Sequence, residues 1–385
     1  MKFRKCKLSE LGEIVGGATP STKNKFNYGG NISWITPKDL TDLKGRFINR
    51  GERNITKEGF ENLSTKMLPI NSVLFSSRAP IGYIAINNMN EVCTNQGFKS
   101  IIPNDKINYM FLYYLLKFNK DRIESLGSGT TFKEISGAVM KNIVVSIPEN
   151  KNDQLKIAKV LSKIDEKIEL NTHINNNLQD FLLSQYKLYF DNKETNGKLK
   201  DIVKKMNRTI KRDKINKLLK YYPIDILPKN NIILQEGKDI EEAQSSLIEF
   251  NSNEILVGAM RIYFHRVCIS NNAGITRNTT FVLTPKQEEY LYYALLTIYQ
   301  DSFIEYASLT SKGTTMPYAV WENVCSEFNI YIPTKEELKE FNVICKAIIN
   351  KMNINQEQNN KLEKIRDTLL PKLMNGEIDL DKIEI

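Results

Sequence analysis

Three short stretches hold the side chains best suited to chemistry: Ser76-Ser77-Arg78, Thr94-Asn95-Gln96 and Arg277-Asn278-Thr279. Each mixes cations, amides and hydroxyls. An arginine fork fits the two acceptors on a guanine edge. Asparagine and glutamine fit the acceptor and donor of adenine, and lysines and hydroxyls hold phosphates. Extended to other loop positions, this reading gives a candidate duplex-contacting set. In the first half of the chain it comprises Lys38, Arg46, Arg50, Ser77, Arg78, Asn95, Gln96, Thr130 and Lys133. In the second half it comprises Arg208, Lys211, Arg212, Arg261, Arg277, Asn278, Lys312 and Thr314. A formal charge of +9 over 385 residues permits a polyanionic partner. An ordinary solvated surface carries such residues too, so the set has to be weighed against the organisation of the chain.

Residues for catalysis are missing. With two histidines, His173 and His265, a zinc site or a Ser-His-Asp or Cys-His arrangement is not expected. There is no Walker loop, no GxGxxG after a strand and no Asn-Pro-Pro motif of adenine methyltransferases. Loose nuclease-like triplets at Asp191-Asn192-Lys193 and Glu236-Gly237-Lys238 lie in polar linkers, as chance allows in a chain with 26% charged residues. Cys6, Cys93, Cys268, Cys325 and Cys345 are scattered, which suits reduced thiols and a cytoplasmic location. No window approaches twenty apolar residues, so no membrane partner is expected, and MKFRKCKLSE has no apolar signal core behind it.

The elements that would position the candidates occur twice. Residues 153–190 carry a heptad seam of Ile157, Leu161, Ile164, Ile168, Asn171, Asn175, Leu178, Leu182 and Gln185. Adding 184 gives Phe341, Cys345, Ile348, Met352, Asn355, Asn359, Leu362, Arg366 and Leu369, with the polar breaks at the same steps. The preceding globules repeat as well. KLSELGEIVGG, read as a short helix closed by glycine, is answered by KLKDIVKKM. NSVLFSSRAPIGYIAI, read as strand, turn and strand, is answered by NEILVGAMRIYFHRVCI. LYYLL, a buried helix, is answered by LYYALL. The expected plan is globule 1–150, long helix 151–193, globule 194–334, long helix 335–376 and a tail 377–385. The helices stay alike while the loops diverge, as on a scaffold carrying two different readers.

In this ordered set the chain resembles the specificity subunits of type I restriction–modification systems. The resemblance rests on the duplication, on SSRAPIGYIAI and TNQGF, on GTTFKEISGAVMKNIVVSIP and on LEKIRDTLLPKLMNGEI. The second globule departs from it, with MRIYFHRVCI and TRNTTF at the matching places. The resemblance implies an α+β chain: two mixed α/β target recognition domains held apart by an antiparallel coiled coil, with an internal pseudo-twofold repeat. Each domain would read one half of a bipartite, asymmetric double-stranded DNA site. The helices would dock two adenine-N6 methyltransferase subunits, which carry S-adenosylmethionine, and motor-nuclease subunits, which carry ATP and Mg, would join them. The chain itself would be non-catalytic and hold no cofactor. An interaction scaffold that binds no DNA, or a restriction-enzyme fragment reduced to its recognition half, remain as alternatives at this point.

The duplicated seam also sets a register. An axis near His173 and Glu357 places Asn171 against Asn359 and Asn175 against Asn355, Ile168 against Leu362, Leu178 against Met352, Leu182 against Ile348, and Ile164 against the stem of Arg366. Buried asparagines satisfy only each other, so a heptad slip would strand all four beside apolar neighbours. Val160, Phe181 and Ile365 lie off the seam and call for a covering partner.

Overall fold

Two helices of 40 residues each, Lys151–Phe190 and Lys335–Met374, follow the two globular segments. The computed structural model describes residues 1–41, 43–129 and 133–378. Its contacts divide into two compact units, Met1–Glu169 with the chain from Lys361 onward, and Leu170–Asn360. Both long helices contribute to each unit.

In the first unit, Phe3–Lys7 pairs antiparallel with Val144–Pro148 beside the start of the long helix. A five-stranded sheet runs in the order Gly12–Gly16, Lys99–Pro103, Val73–Ser77, Ile81–Asn87, Phe47–Ile48. A second sheet runs Arg53–Ile55, Tyr28–Ile35, Val92–Thr94, its last two strands parallel. The VLF run is buried on both faces, and so are Ala85 and Ile86 of IAI, with Ile84 half-buried, which is why these runs read as near-continuous hydrophobic segments. Tyr109–Phe118 is a helix whose LYYLL is buried. It packs in one core with Phe75, Ile157, Leu161, Leu370 and Leu373, so globule and helices share that core.

The second unit repeats this order. Gly197–Lys198 pairs with Asn329–Ile330. The main sheet runs Val203–Met206, Thr280–Pro285, Ile255–Gly258, Val267–Ile269. A side sheet runs Thr209–Ile210, Leu247–Phe250, Gly274–Arg277, Lys220–Tyr221. Its core joins Leu295, Phe303 and Trp321 to Leu182, Tyr186, Phe341 and Cys345 of the long helices.

Two expectations change. KLSELGEIVGG is not a helix closed by glycine. A single 3-10 turn, Leu8–Glu10, is closed by the Lys7 amide donating to Glu10 Oε1 at 2.7 Å, and Gly12–Gly16 is a strand. Gly12 serves close packing there, since a Cβ on it would sit 2.3 Å from the Ile102 carbonyl oxygen. The seam also drifts from its heptad. Ile164 and Gln185 are only half-buried, while their neighbours Asp165 and Tyr186 turn inward. Each meets a globule: Tyr114 donates to Asp165 at 2.6 Å, and Tyr186 bonds Thr297 at 2.9 Å. Arg366 reaches Asp165 at 2.9 Å instead of lying along Ile164.

Candidate nucleic-acid interface

The first unit gathers candidates around one backbone corner. The Ser77 amide donates to the Gly97 carbonyl at 2.7 Å, and the Ile135 amide donates to the Ser77 carbonyl at 2.9 Å. Ser128 and Glu134 exchange two backbone bonds beside them. This ladder ties the turn after Val73–Ser77 to residues 95–97 and to Ser128, Glu134 and Ile135. A cleft of about 510 Å³ opens at the corner, lined by Thr36, Pro37, Lys38, Arg78, Ala79, Asn95, Gly97 and Glu134. Lys38, Arg78 and Asn95 thus converge there from three separate sequence segments. Lys38 pairs with Glu52 at 2.7 Å. The Asn95 side chain accepts from the Gly97 amide at 2.9 Å, and Thr19 donates to Gln96. Arg78 Nη1 stands 3.7 Å from Glu134 Oε2, and Lys99 Nζ stands 3.4 Å from Glu134 Oε1. Arg50 and Lys133 are exposed, whereas Thr130 lies outside the described residues.

The second unit has the same ladder. Ala259 donates to the Thr279 carbonyl at 2.8 Å, Ala319 donates to the Ala259 carbonyl at 2.8 Å, and Lys312 and Tyr318 exchange two bonds. Ala79 and Arg261 take left-handed φ values of 51° and 50° at equivalent positions. Through the hairpin and the following strand the repeat is therefore offset by 182, and by 184 again at the 312–318 loop. The corner residues Arg78, Ala79, Asn95, Gln96, Ser128 and Glu134 correspond to Met260, Arg261, Arg277, Asn278, Lys312 and Tyr318. Arg277, Asn278, Lys312 and Thr314 are exposed. Lys211 and Arg212 are exposed on a separate segment, where Arg212 donates to the Glu241 carbonyl.

Three candidates are corrected. Ser77 has no exposed surface, because every residue of its strand is interior to the sheet. Arg46 is 3% exposed, and its Nε and Nη2 donate to Glu169 at 3.0 and 2.9 Å. Burial disfavours the Arg46 charge, but the Glu169 bonds outweigh it and raise its pKa above the ordinary arginine value. Arg46 is therefore an anchor between globule and helix. Arg208 is held by Glu254, itself buried, and by the Glu249 carbonyl. Sequence reading passed over Glu134, Lys99 and Tyr318. A search for free cations discards an acid, and nothing in KEISG shows that Glu134 faces Arg78, 56 positions away.

On the helices, Asn171 donates to Asn359 at 2.9 Å and Asn355 donates to Asn175 at 2.8 Å. All four are buried. Three further amide hydrogens reach Gln358, the Met352 carbonyl and the Thr172 hydroxyl. The two helices run antiparallel along this polar seam.

The chain matches the family described as type I restriction modification DNA specificity domain over residues 2–180, and again over 192–364. It belongs to that family. The type I restriction enzyme MjaIX specificity subunit of Methanocaldococcus jannaschii is 30% identical, across 98% of this chain and 94% of its own length. The EcoR124I/EcoR124II specificity subunit of Escherichia coli is 30% identical over 41% of this chain and 40% of its own length. In fold, the S subunit of the type I system from M. genitalium superposes with a TM-score of 0.59 at 18% identity, covering 97% of this chain and 96% of that one. The two family matches coincide with the two structural repeats, so each specificity domain carries its own corner. As a member of this family the chain is a DNA specificity chain with two target recognition domains and not a catalytic one. Among the described residues no helix is long and apolar enough to cross a membrane.

Proposed function

We propose that each target recognition domain reads one half of a bipartite, asymmetric duplex site, and that the paired helices set the gap between the halves and dock two adenine-N6 methyltransferase subunits. The observation that carries this reading is the repeated corner: one main-chain ladder presenting unlike side chains, as two readers of different sequences require. In length, a 40-residue helix is roughly 60 Å at about 1.5 Å per residue, enough to span successive major-groove faces about 34 Å apart. Phe181, Leu188 and Val343 on the helices of the second unit, and Leu155 and Ile365 on those of the first, are exposed and supply apolar surface for protein partners. Val160 is not part of that surface, since it packs against the first core. The methyltransferases would supply S-adenosylmethionine. Motor-nuclease subunits carrying ATP and Mg would join the assembly.

Mapping adenine methylation in a host with and without this gene and its methyltransferase partner tests the reading. A gapped two-part motif that depends on this chain is expected. Exchange of residues 20–147 for the matching domain of a relative should change one half of the motif and leave the other half and the gap intact. Methyl transfer by the purified chain alone, or a motif whose halves always change together, would overturn it.

A further inference from the structure

The corner of the first domain holds something a phosphate-binding surface avoids, a carboxylate beside its arginine. Glu134 is fixed from behind. Lys99 Nζ, on a side chain only 14% exposed, faces Oε1, which leaves Oε2 toward Arg78 and the cleft. The Arg78 and Glu134 side chains are 35% and 40% exposed, and their 3.7 Å separation is longer than a charge-assisted hydrogen bond. A pair this exposed and this loose contributes little to stability and is exchanged cheaply for an outside partner. Together the two side chains present a donor fork and an acceptor, side by side, at one rim of the cleft.

In the major groove the G·C pair displays the complement of that arrangement: acceptors N7 and O6 on guanine, then the N4 amino donor on cytosine. O6 and N4 are hydrogen-bonded to each other and so lie about 3 Å apart. A guanidinium on guanine and a carboxylate on cytosine would stand at nearly the separation found here. Adenine in place of guanine keeps N7 but loses O6, and thymine O4 then faces the carboxylate with a second acceptor; the reversed pair sets thymine O4 and adenine N6 against the two groups but gives the arginine fork one acceptor where guanine gives two.

Resting on the DNA-reading function above, we infer that Glu134 is a specificity-determining residue of the first domain and that, with Arg78, it demands one G·C base pair in that half-site. Arg78 takes the guanine edge and Glu134 accepts from the cytosine amine. The same carboxylate repels phosphate, so nonspecific binding at this corner is held down. The second domain has Met260 and Tyr318 at the two positions and makes no such demand.

The test is methylation mapping on a randomised-site library with the complex of the full chain and its methyltransferase. Wild type should give one half-site with an obligatory G·C pair. Arg78→Ala and Glu134→Ala should each relax that same pair, by about tenfold in discrimination, and leave every other position unchanged. Glu134→Gln is isosteric and serves if the alanine variant fails to assemble. Its amide also donates, so thymine becomes acceptable opposite adenine at that pair. A first half-site without any G·C pair, relaxation at two different pairs, or a Glu134 variant that only strengthens binding to all sequences overturns the inference while the reading function stands. A wild-type complex that yields no motif at all fails the reading function instead.

Discussion

The two corners have the same hydrogen-bonded backbone and different electrostatics. The first sets Arg78 against Glu134; the second has Met260 against Tyr318, with its cations displaced to Arg261, Arg277 and Lys312. The anchors to the first long helix differ in the same way. Arg46 grips Glu169 as a charged pair in the first unit, whereas in the second the neutral Gln179 donates to the Asn230 carbonyl at 3.0 Å and accepts from the Ile232 amide at 2.9 Å. The ladder and the anchor points need only main-chain groups or a single long side chain. Everything projecting from them is free to diverge, so two copies of one fold can present unlike side chains.

The anchors should respond most strongly. Arg46→Ala takes the guanidinium from Glu169, leaving it the backbone amide of position 46, and should cost the first unit about 3 kcal/mol, seen as an earlier first transition in calorimetry. Gln179→Ala removes neutral bonds only and should cost the second unit about 1–2 kcal/mol. Equal losses would erase the distinction between the anchors.

Next come the asparagines. Asn171→Leu alone removes the amide from which Asn359 Oδ1 accepts and should cost about 2 kcal/mol. Changing Asn171, Asn175, Asn355 and Asn359 together to leucine should raise the melting temperature and loosen the permitted gap. A quadruple variant that melts earlier would show that the amides stabilise the seam beyond specifying it.

At the corners, Arg78→Ala should weaken binding to the cognate site about tenfold, close to 1.4 kcal/mol, and only through the first half-site. Lys312→Ala should weaken all duplexes alike and lower the salt dependence. A sequence-selective loss for Lys312 would make the corners alike after all.

The smallest effect is one of pH. Burial lowers the pKa of His265, although its Nε2 donates to the Tyr299 carbonyl and Asp301 lies 3.6 Å from Nδ1. The unfolded chain therefore binds the proton more readily, and the second unit should lose stability as pH falls below about 6.5. His265→Gln should flatten that dependence. An unchanged slope would remove His265 as its source.

The repeat, the buried LYYLL helix, the two long helices and the pairing of Asn171 with Asn359 and of Asn175 with Asn355 were legible in the sequence, because periodicity over forty residues leaves few alternatives. The helix expected at 7–17 was not, because a three-residue turn and a strand alternate hydrophobicity too briefly to be told from one helix. The lining of the first cleft was legible only in part. Lys38, Arg78 and Asn95 were named from their types, yet Arg46 and Ser77, of the same types, are interior.

Sequence alone therefore determined the duplicated plan and the polar seam, since both depend on local period and on the rule that buried amides pair with each other. Tertiary structure alone decided which cations face outward and which acid stands beside them. Arg46 meets Glu169 across 123 positions, and Arg78 meets Glu134 through a backbone bridge between separate loops. Such meetings are set by long-range strand pairing, to which the charge of a side chain contributes little.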